Sequence, residues 1–393
     1  MDYISASEAS KKWGTSLRQV QRLLNASRIP HAKKLGNSWV IPADAEKPGD
    51  PRFEKDQLPQ KSLSAELAEV VTATTLPMPR SNPDAILDTV KEERMRLHYE
   101  SELAYLQGDF EQVKTLFQKT EGDDASRLRG CSLAIAAAIS TGDYPFYMDI
   151  ETYLKGFIKA DTSEEIKIFA ELMLASASAG AIAPNMAPEW LKKGDFSALL
   201  PQAKIDATYK RAKYFQALGQ FESMLAIAQT ALGFHVAKVG FTFHDISFPV
   251  VCAAACCGLG RLDEAKNYLA DALSFALPHG FITPFAESAT AFGGLLEQIL
   301  EQKFPGYYKA VTDAWQRTYT NWVTFHNRFT KDNITLILSL RDYQIAQMAA
   351  QGIPFKKIAE HFHISLGTLN NNMQDIYRKL YIHGKKELKN YVF

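Results

Sequence analysis

Cysteine is scarce: Cys131, Cys252, Cys256 and Cys257 are the only four in 393 residues, and three of them crowd together. So few thiols cannot frame a chain of this length with disulfides, and they agree with a reducing compartment. Long apolar runs are missing as well. No stretch approaches the roughly 18 residues of a spanning helix, and the first residues lack the basic-then-apolar layout of a secretion signal. A cytoplasmic protein with no membrane partner is expected. No Gly-x-x-x-x-Gly-Lys-Ser/Thr loop occurs, and Gly258-Leu259-Gly260 follows no strand pattern, so neither phosphate-cradling loop nor dinucleotide fingerprint is present. Strand alternation is nearly absent through the middle, which argues against an α/β phosphoacceptor domain.

Nothing recommends itself as a catalytic set. His98 with Glu102, and His244 with Asp245, are single histidines on helical sequence, expected as packing or surface groups. Cys252, Cys256 and Cys257 fall at i, i+4 and i+5 among Ala253, Ala254 and Ala255. That spacing would allow a metal or thiol pair, but small buried thiols beside alanines are expected as packing. The expectation is a non-enzyme with no catalytic residue, no metal and no cofactor.

Net charge is absent overall, with 44 basic and 44 acidic residues, yet it is unevenly spread. Residues 1–42 hold seven Lys/Arg against two Asp/Glu, residues 331–393 hold nine against five, and the middle carries a net −9. Basic ends on an acidic body point to polyanion contacts at the ends. Seven of the 17 prolines fall between Pro42 and Pro83. Proline fixes φ and removes a donor, so residues 48–83 read as a Pro-rich linker, with one short helix near Ser64 to Val71.

From 84 to 330 the apolar residues recur at helical spacing, as in Leu103, Leu106, Phe110, Val113, Leu116 and Phe117. Short turns centred on Gly108, Gly142, Gly219 and Gly260 precede amphipathic segments, at intervals suited to helix-turn-helix solenoid repeats. The stretch from Gly258 to Ala276 resembles a tetratricopeptide (TPR) repeat, with Ala265 and Ala272 at the helix crossing. An aromatic series, Trp315, Tyr319, Trp322, Phe325, His326 and Phe329, closes this region. It is read as a dock for the C-terminal segment in preference to a ligand box.

At the N-terminus, Ser5 or Ser7 caps a short helix, Gly14-Thr15-Ser16 breaks it, and a second helix spans Leu17 to Asn25. Leu17, Val20, Leu23 and Leu24 form its apolar face, leaving Arg18, Gln19, Gln21 and Arg22 outward. A hairpin with a Gly36-Asn37 turn follows, basic on the Lys33-Lys34 arm and aromatic on the Trp39 arm. With these motifs residues 1–47 resemble the winged helix-turn-helix of the MerR and excisionase type. The resemblance implies that Ser16, Arg18, Gln19 and Arg22 enter a major groove, while Lys33, Lys34 and Asn37 serve the wing.

At the C-terminus, Ser339 caps one helix that ends before Gly352, and Ser365 caps another. Ile345, Met348, Ala349, Ile358, Ala359, Ile364, Leu369, Ile376 and Leu380 have the spacing of a four-helix core. Arg341-Asp342, Ala350-Gln351-Gly352, Ile358-Ala359, Ile364-Ser365-Leu366-Gly367-Thr368-Leu369 and Lys379-Leu380 make residues 331–393 resemble the LuxR-type helix-turn-helix. Where that family carries Lys-x-His, this chain has Asn370-Asn371-Asn372. Losing the Lys forfeits one phosphate or guanine contact, about 1 kcal/mol, although Asn pairs well with adenine. Ser365, Thr368, Asn370, Asn371 and Asn372 are then the candidate base-reading residues, with Lys356, Lys357 and Lys379 around them.

The sequence therefore leads to a mainly α protein: winged helix-turn-helix, TPR-like solenoid and LuxR-type head. The expected function is a transcription regulator that binds double-stranded DNA as a homodimer, with a small-molecule or protein effector on the helical repeats. The alternative is a TPR-type scaffold whose heads bind other proteins, and a further one is a recombination accessory factor.

Overall fold

The computed structural model describes residues 3–26, 28–36, 38–48, 62–235, 240–331, 338–380 and 382–390, and divides into two units, 1–61 and 62–393. In the first, strand β1 (Tyr3–Ser5) leads into α1 (Ala6–Lys12) and α2 (Leu17–Asn25), followed by β2 (Lys33–Leu35) and β3 (Ser38–Pro42). Ser5 caps α1 through a reciprocal box: its Oγ accepts from the Glu8 N–H at 3.2 Å while Glu8 accepts from the Ser5 N–H at 2.7 Å. Ser16 caps α2 without the reciprocal bond, its Oγ accepting from the Gln19 N–H at 3.3 Å. The sheet has the order β1-β3-β2, both pairs antiparallel. Ala9, Val20, Leu23, Leu24, Ile29 and Ile41 form its core.

Two details differ from the sequence expectation. Strand β1 was not foreseen, because three residues are too few to show alternation; it exists through pairing with β3, Ile4 opposite Ile41. Leu17, expected on the apolar face of α2, is 42% exposed, since the small core covers only the turns carrying Val20, Leu23 and Leu24.

The second unit is helical. Helix α3 (Leu63–Ala73) buries Leu67, Val70 and Val71. The chain then turns at Thr74 and Thr75, and Met78 pairs with Phe241 through two backbone hydrogen bonds of 2.7 and 2.8 Å. Of the stretch expected as a linker, residues 62–83 thus pack into this unit, drawn in by Leu67, Val70, Val71 and Met78, and 49–61 lie outside the described residues. The short α4 (Ile86–Thr89) precedes α5 (Glu93–Gln107), α6 (Phe110–Gln118), α7 (Asp124–Thr141), α8 (Tyr144–Lys159), α9 (Glu164–Gly180) and α10 (Glu189–Lys193). Then come α11 (Lys204–Ala217), α12 (Phe221–His235), α13 (Phe243–Gly258), α14 (Leu262–Ala276), α15 (Thr283–Ser288), α16 (Leu295–Lys303) and α17 (Pro305–Thr330).

All four Gly-centred turns join consecutive helices: α5 to α6, α7 to α8, α11 to α12 and α13 to α14. The Gly-Asp turns divide the work. Gly142 ends α7 at φ 70, a left-handed conformation other residues resist, and Asp143 then caps α8 by accepting from the Phe146 N–H at 3.1 Å. Ala265 and Ala272 of α14 are buried, as a close crossing requires.

The last part comprises α18 (Leu340–Ala350), α19 (Phe355–His361), α20 (Leu366–Leu380) and a 3-10 turn, Lys385–Asn390. Among the described residues this head has three α-helices and that turn, and residues 332–337 at its start lie outside them. Leu388 of the turn and Ile382 close one side of the core. Ile345, Met348, Ala349, Ile358, Ala359, Leu369 and Ile376 are buried and Ile364 is partly so; Tyr343, Phe362 and Met373 complete the core. The side chain of Leu380 lies outside the described residues.

The head packs on the helical body through α18 and α19. The Gln351 side chain donates to the Ala217 carbonyl at 2.8 Å, Gln344 donates to Thr290 at 3.3 Å, and the His361 ring stacks on Phe221 with centroids 5.6 Å apart. Gly293, at φ 58, lets the His361 carbonyl come so near that an added Cβ would stand 2.7 Å from its oxygen. Gly293→Ala is expected to cost about 1–3 kcal/mol and to loosen the head. Hydrogen exchange across 338–380 tests this: protection equal to the parent's would rule out the packing described.

Candidate nucleic-acid interface

Helix α20 is built to show one face. Ser365 starts it, its Oγ accepting from the Thr368 N–H at 3.0 Å and lying 2.9 Å from the Thr368 hydroxyl. Leu369, Met373 and Ile376, at i, i+4 and i+7, are inserted in the head's core at 0, 1 and 0% exposure. Residues on the opposite side therefore face outward. Of the candidates, Ser365, Thr368, Asn370 and Asn371 are exposed, and Asn372 is half-buried at the flank.

At 100° per residue the stripe most nearly opposite the core is Gly367, Asn371, Gln374 and Arg378. Gln374 and Arg378 are thus further outward-facing residues that sequence reading passed over, although their i+3 and i+7 spacing from Asn371 was visible. Arg378 is 79% exposed at its side chain and forms a 2.6 Å ion pair with Asp375. Lys379 is partly engaged inside the head, donating to Asp342 at 3.1 Å and so tying α20 to α18. Lys356 and Lys357 are exposed on α19.

The N-terminal candidates are also at the surface. Arg18, Gln19 and Arg22 are exposed on α2, while Ser16 uses its hydroxyl oxygen as the helix cap. Lys33 and Lys34 are exposed but adjacent on one strand, so their side chains leave opposite faces. Lys34 lies opposite Trp39 and Lys33 opposite Val40, which assigns them to different sides of the sheet and not to one basic surface. Asn37 lies outside the described residues.

Burial and charge at the head's underside make its attachment sensitive to pH. Burial pushes His361 from its usual 6.5 down to about 4, outweighing a hydrogen bond to the Cys257 backbone; nearby His363 is also lowered by burial. An unfolded His361 takes up a proton near pH 6.5 that the packed ring refuses until about 4. Its packing is therefore undiminished above the ordinary histidine range and is weakened progressively between those values, by up to about 3 kcal/mol. Limited proteolysis of the full chain is expected to release the head faster at pH 5 than at pH 7.5, with a smaller difference in His361→Gln. Equal rates in the parent would contradict this.

The helical body holds a partly open cavity with about 200 Å³ accessible to the centres of water molecules. The aromatic series divides here. Trp315, Tyr319 and Trp322 line the cavity, Phe325 and Phe329 belong to the core, and His326 reaches Tyr343 of the head at 5.5 Å between centroids. The expected contact with the head is made by His326, and the three members nearest the start of the series border the cavity instead. His98 stands 3.6 Å from Glu102, and His244 stands 3.3 Å from Asp206, while Asp245 instead caps α13 through Thr242. Both histidines line the cavity, which their sequence neighbours could not reveal.

Burial raises the thiols of Cys252, Cys256 and Cys257 to about 12, 11 and 12, so they are inert packing groups as expected. Among the described residues no cluster of three or more His, Cys, Asp or Glu side chains could hold a metal ion. No described helix is long and apolar enough to cross a membrane.

No curated protein and no solved structure matches the chain. The C-terminal head, with its outward helix and its Ile364-Ser365 to Leu369 motif, does have a counterpart: residues 336–392 match the bacterial regulatory proteins of the luxR family, a match confined to this head that supports a LuxR-type, DNA-binding transcription regulator.

Proposed function

We propose that the chain regulates transcription by reading duplex DNA with α20 and, as a second reader, with α2 of an N-terminal winged helix-turn-helix of the MerR and excisionase type. The observation that carries this reading is the outward stripe of α20: amide and guanidinium groups project from a helix whose opposite face is anchored in its own core. Amides suit adenine, and the exposed Lys356 and Lys357 suit phosphates. The helical body is read as a TPR-like solenoid that senses a ligand, and its net negative charge keeps DNA to the heads. A homodimer follows from area, because one such head buries too little surface for tight specific binding.

The scaffold reading draws support from one feature: Arg378 and Lys379 are both paired within the head, leaving the outward face short of free cations. Selection of duplexes from a random library, with the full chain and with either head deleted, separates the two. A composite site needing both heads supports the regulator; no enriched site supports the scaffold. In the N-terminal reader, Arg22→Ala is expected to weaken selected sites by about 1–3 kcal/mol. Binding unchanged by that substitution would remove α2 from the interface.

A further inference from the structure

Formal charges of both signs meet in the cavity of the helical body. Three cations, Arg129, Lys210 and Lys213, stand among three carboxylates, Glu102, Asp206 and Glu287. These six groups sum to zero at their formal charges, and burial with the nearby Arg129 keeps His98 neutral by lowering its pKa. A ligand of net charge would leave an uncompensated charge in a low-dielectric interior, whereas one that is neutral overall but carries both signs would not.

Most of these groups are already engaged. Asp206 receives Lys210 at 3.4 Å, His244 at 3.3 Å and Arg129 at 4.0 Å. Burial opposes its ionisation, but the Lys210 charge, the hydrogen bond from His244 and the Arg129 charge hold its carboxyl well below the usual range. Glu287 accepts from Tyr105 at 2.6 Å and Ser140 at 2.8 Å, and Lys213 donates to Gln216 at 2.6 Å.

Glu102 and Arg129 keep capacity, as does the Lys213 ammonium beyond its bond to Gln216. Glu102 has one ion-pair partner among the described residues, His98 at 3.6 Å. Arg129 donates its Nε–H to Thr74 at 3.1 Å, and among the described residues the rest of its guanidinium has only the distant Asp206 carboxylate in ion-pair range. Ser247, 2% exposed, and the Trp315 indole N–H also line the cavity, and neither has a hydrogen-bond partner among the described residues. Glu102 and Arg129 both act electrostatically on His98 and Tyr99, which places them at one end. From Arg129 the wall of α7 runs about 16 Å to Ser140, at whose end Trp322 is fixed by donating to the Gly180 carbonyl at 2.9 Å.

We propose that this cavity binds a free α-amino acid with a large apolar or aromatic side chain, its carboxylate on Arg129, its ammonium on Glu102 and its side chain directed toward Trp315 and Trp322. The site deepens the sensing role proposed above and rests on it. An amino acid fits because it carries one anion and one cation on a single carbon and is neutral overall. Its remaining surface is hydrocarbon or ring, which suits the aromatic end of the cavity.

Calorimetric titration of the full chain without DNA tests the proposal, with L-phenylalanine, L-leucine, N-acetyl-L-phenylalanine and L-phenylalaninamide as probes. Phenylalanine is expected to bind, and each blocked derivative to bind at least about tenfold more weakly. Glu102→Gln is expected to weaken phenylalanine by about tenfold while leaving the N-acetyl derivative unchanged; Arg129→Gln should do the same with respect to the amide. Should Arg129→Gln fail to fold, quenching of cavity tryptophan fluorescence, lost in Trp315→Phe, gives an independent reading.

A blocked derivative that binds as tightly as phenylalanine, indifference to Glu102→Gln, or no binding even at roughly 10 mM would overturn the proposal. Because DNA is absent from these titrations, their failure leaves the DNA-reading role standing. Failure of library selection leaves the titrations interpretable.

Discussion

Replacing Asn370 and Asn371 together with glutamate is expected to lower the affinity of the full chain for a selected duplex by about 100-fold or more, with an unchanged thermal midpoint. Both side chains are exposed on α20, so the substitutions neither open the core around Leu369, Met373 and Ile376 nor disturb the Ser365 cap. Their cost is confined to the bound state. Two carboxylates would face phosphates in a complex whose affinity depends on neutralising them, and two amides that can pair with adenine would be gone. Electrophoretic mobility shifts across a salt series give the measurement. A double variant that binds as tightly as the parent would show that α20 does not enter a groove, and would favour the scaffold reading of this head.

Phe325→Ala is expected to destabilise the helical body by about 3–5 kcal/mol, which for a unit of this size lowers the thermal midpoint by roughly 10 °C. Phe325 is fully buried on α17, with ring contacts to Tyr144 at 5.5 Å, Tyr147 at 5.2 Å and Phe329 at 5.7 Å. Truncation leaves a void between α17 and α8, which close packing on both sides keeps from collapsing. The same helix carries Trp322 in the cavity and His326 against the head's Tyr343, so the variant should also speed proteolytic release of the head. Thermal denaturation with proteolysis checks both effects, and a shift of less than about 3 °C would mean that the ring contacts contribute little.

Much of the architecture was legible where the cause is local. A Ser with Glu three residues on begins α1, Ser16 begins α2, Ser339 begins α18, and Gly142-Asp143 ends one helix and caps the next. Each signal acts within about one turn of backbone, so the sequence order alone carries it. The apolar periodicity of the head likewise marked most of its core, because a short domain has only one way to bury such a face. Strand β1 escaped because its only support is β3, more than thirty residues away.

The cavity was illegible for the same reason on a larger scale. His98, Arg129, Asp206, His244 and Glu287 come from five helices, and each, read with its neighbours, resembles an ordinary surface or packing residue. Local backbone hydrogen bonding, capping and helical period were determined by the amino-acid sequence itself, together with the LuxR-like motif that ends in Thr368 and Leu369. Which charges are buried, which pair with which, and which face of α20 meets solvent were decided only by tertiary packing. Desolvation and Coulomb energy depend on neighbours in space, and linear order does not specify those neighbours.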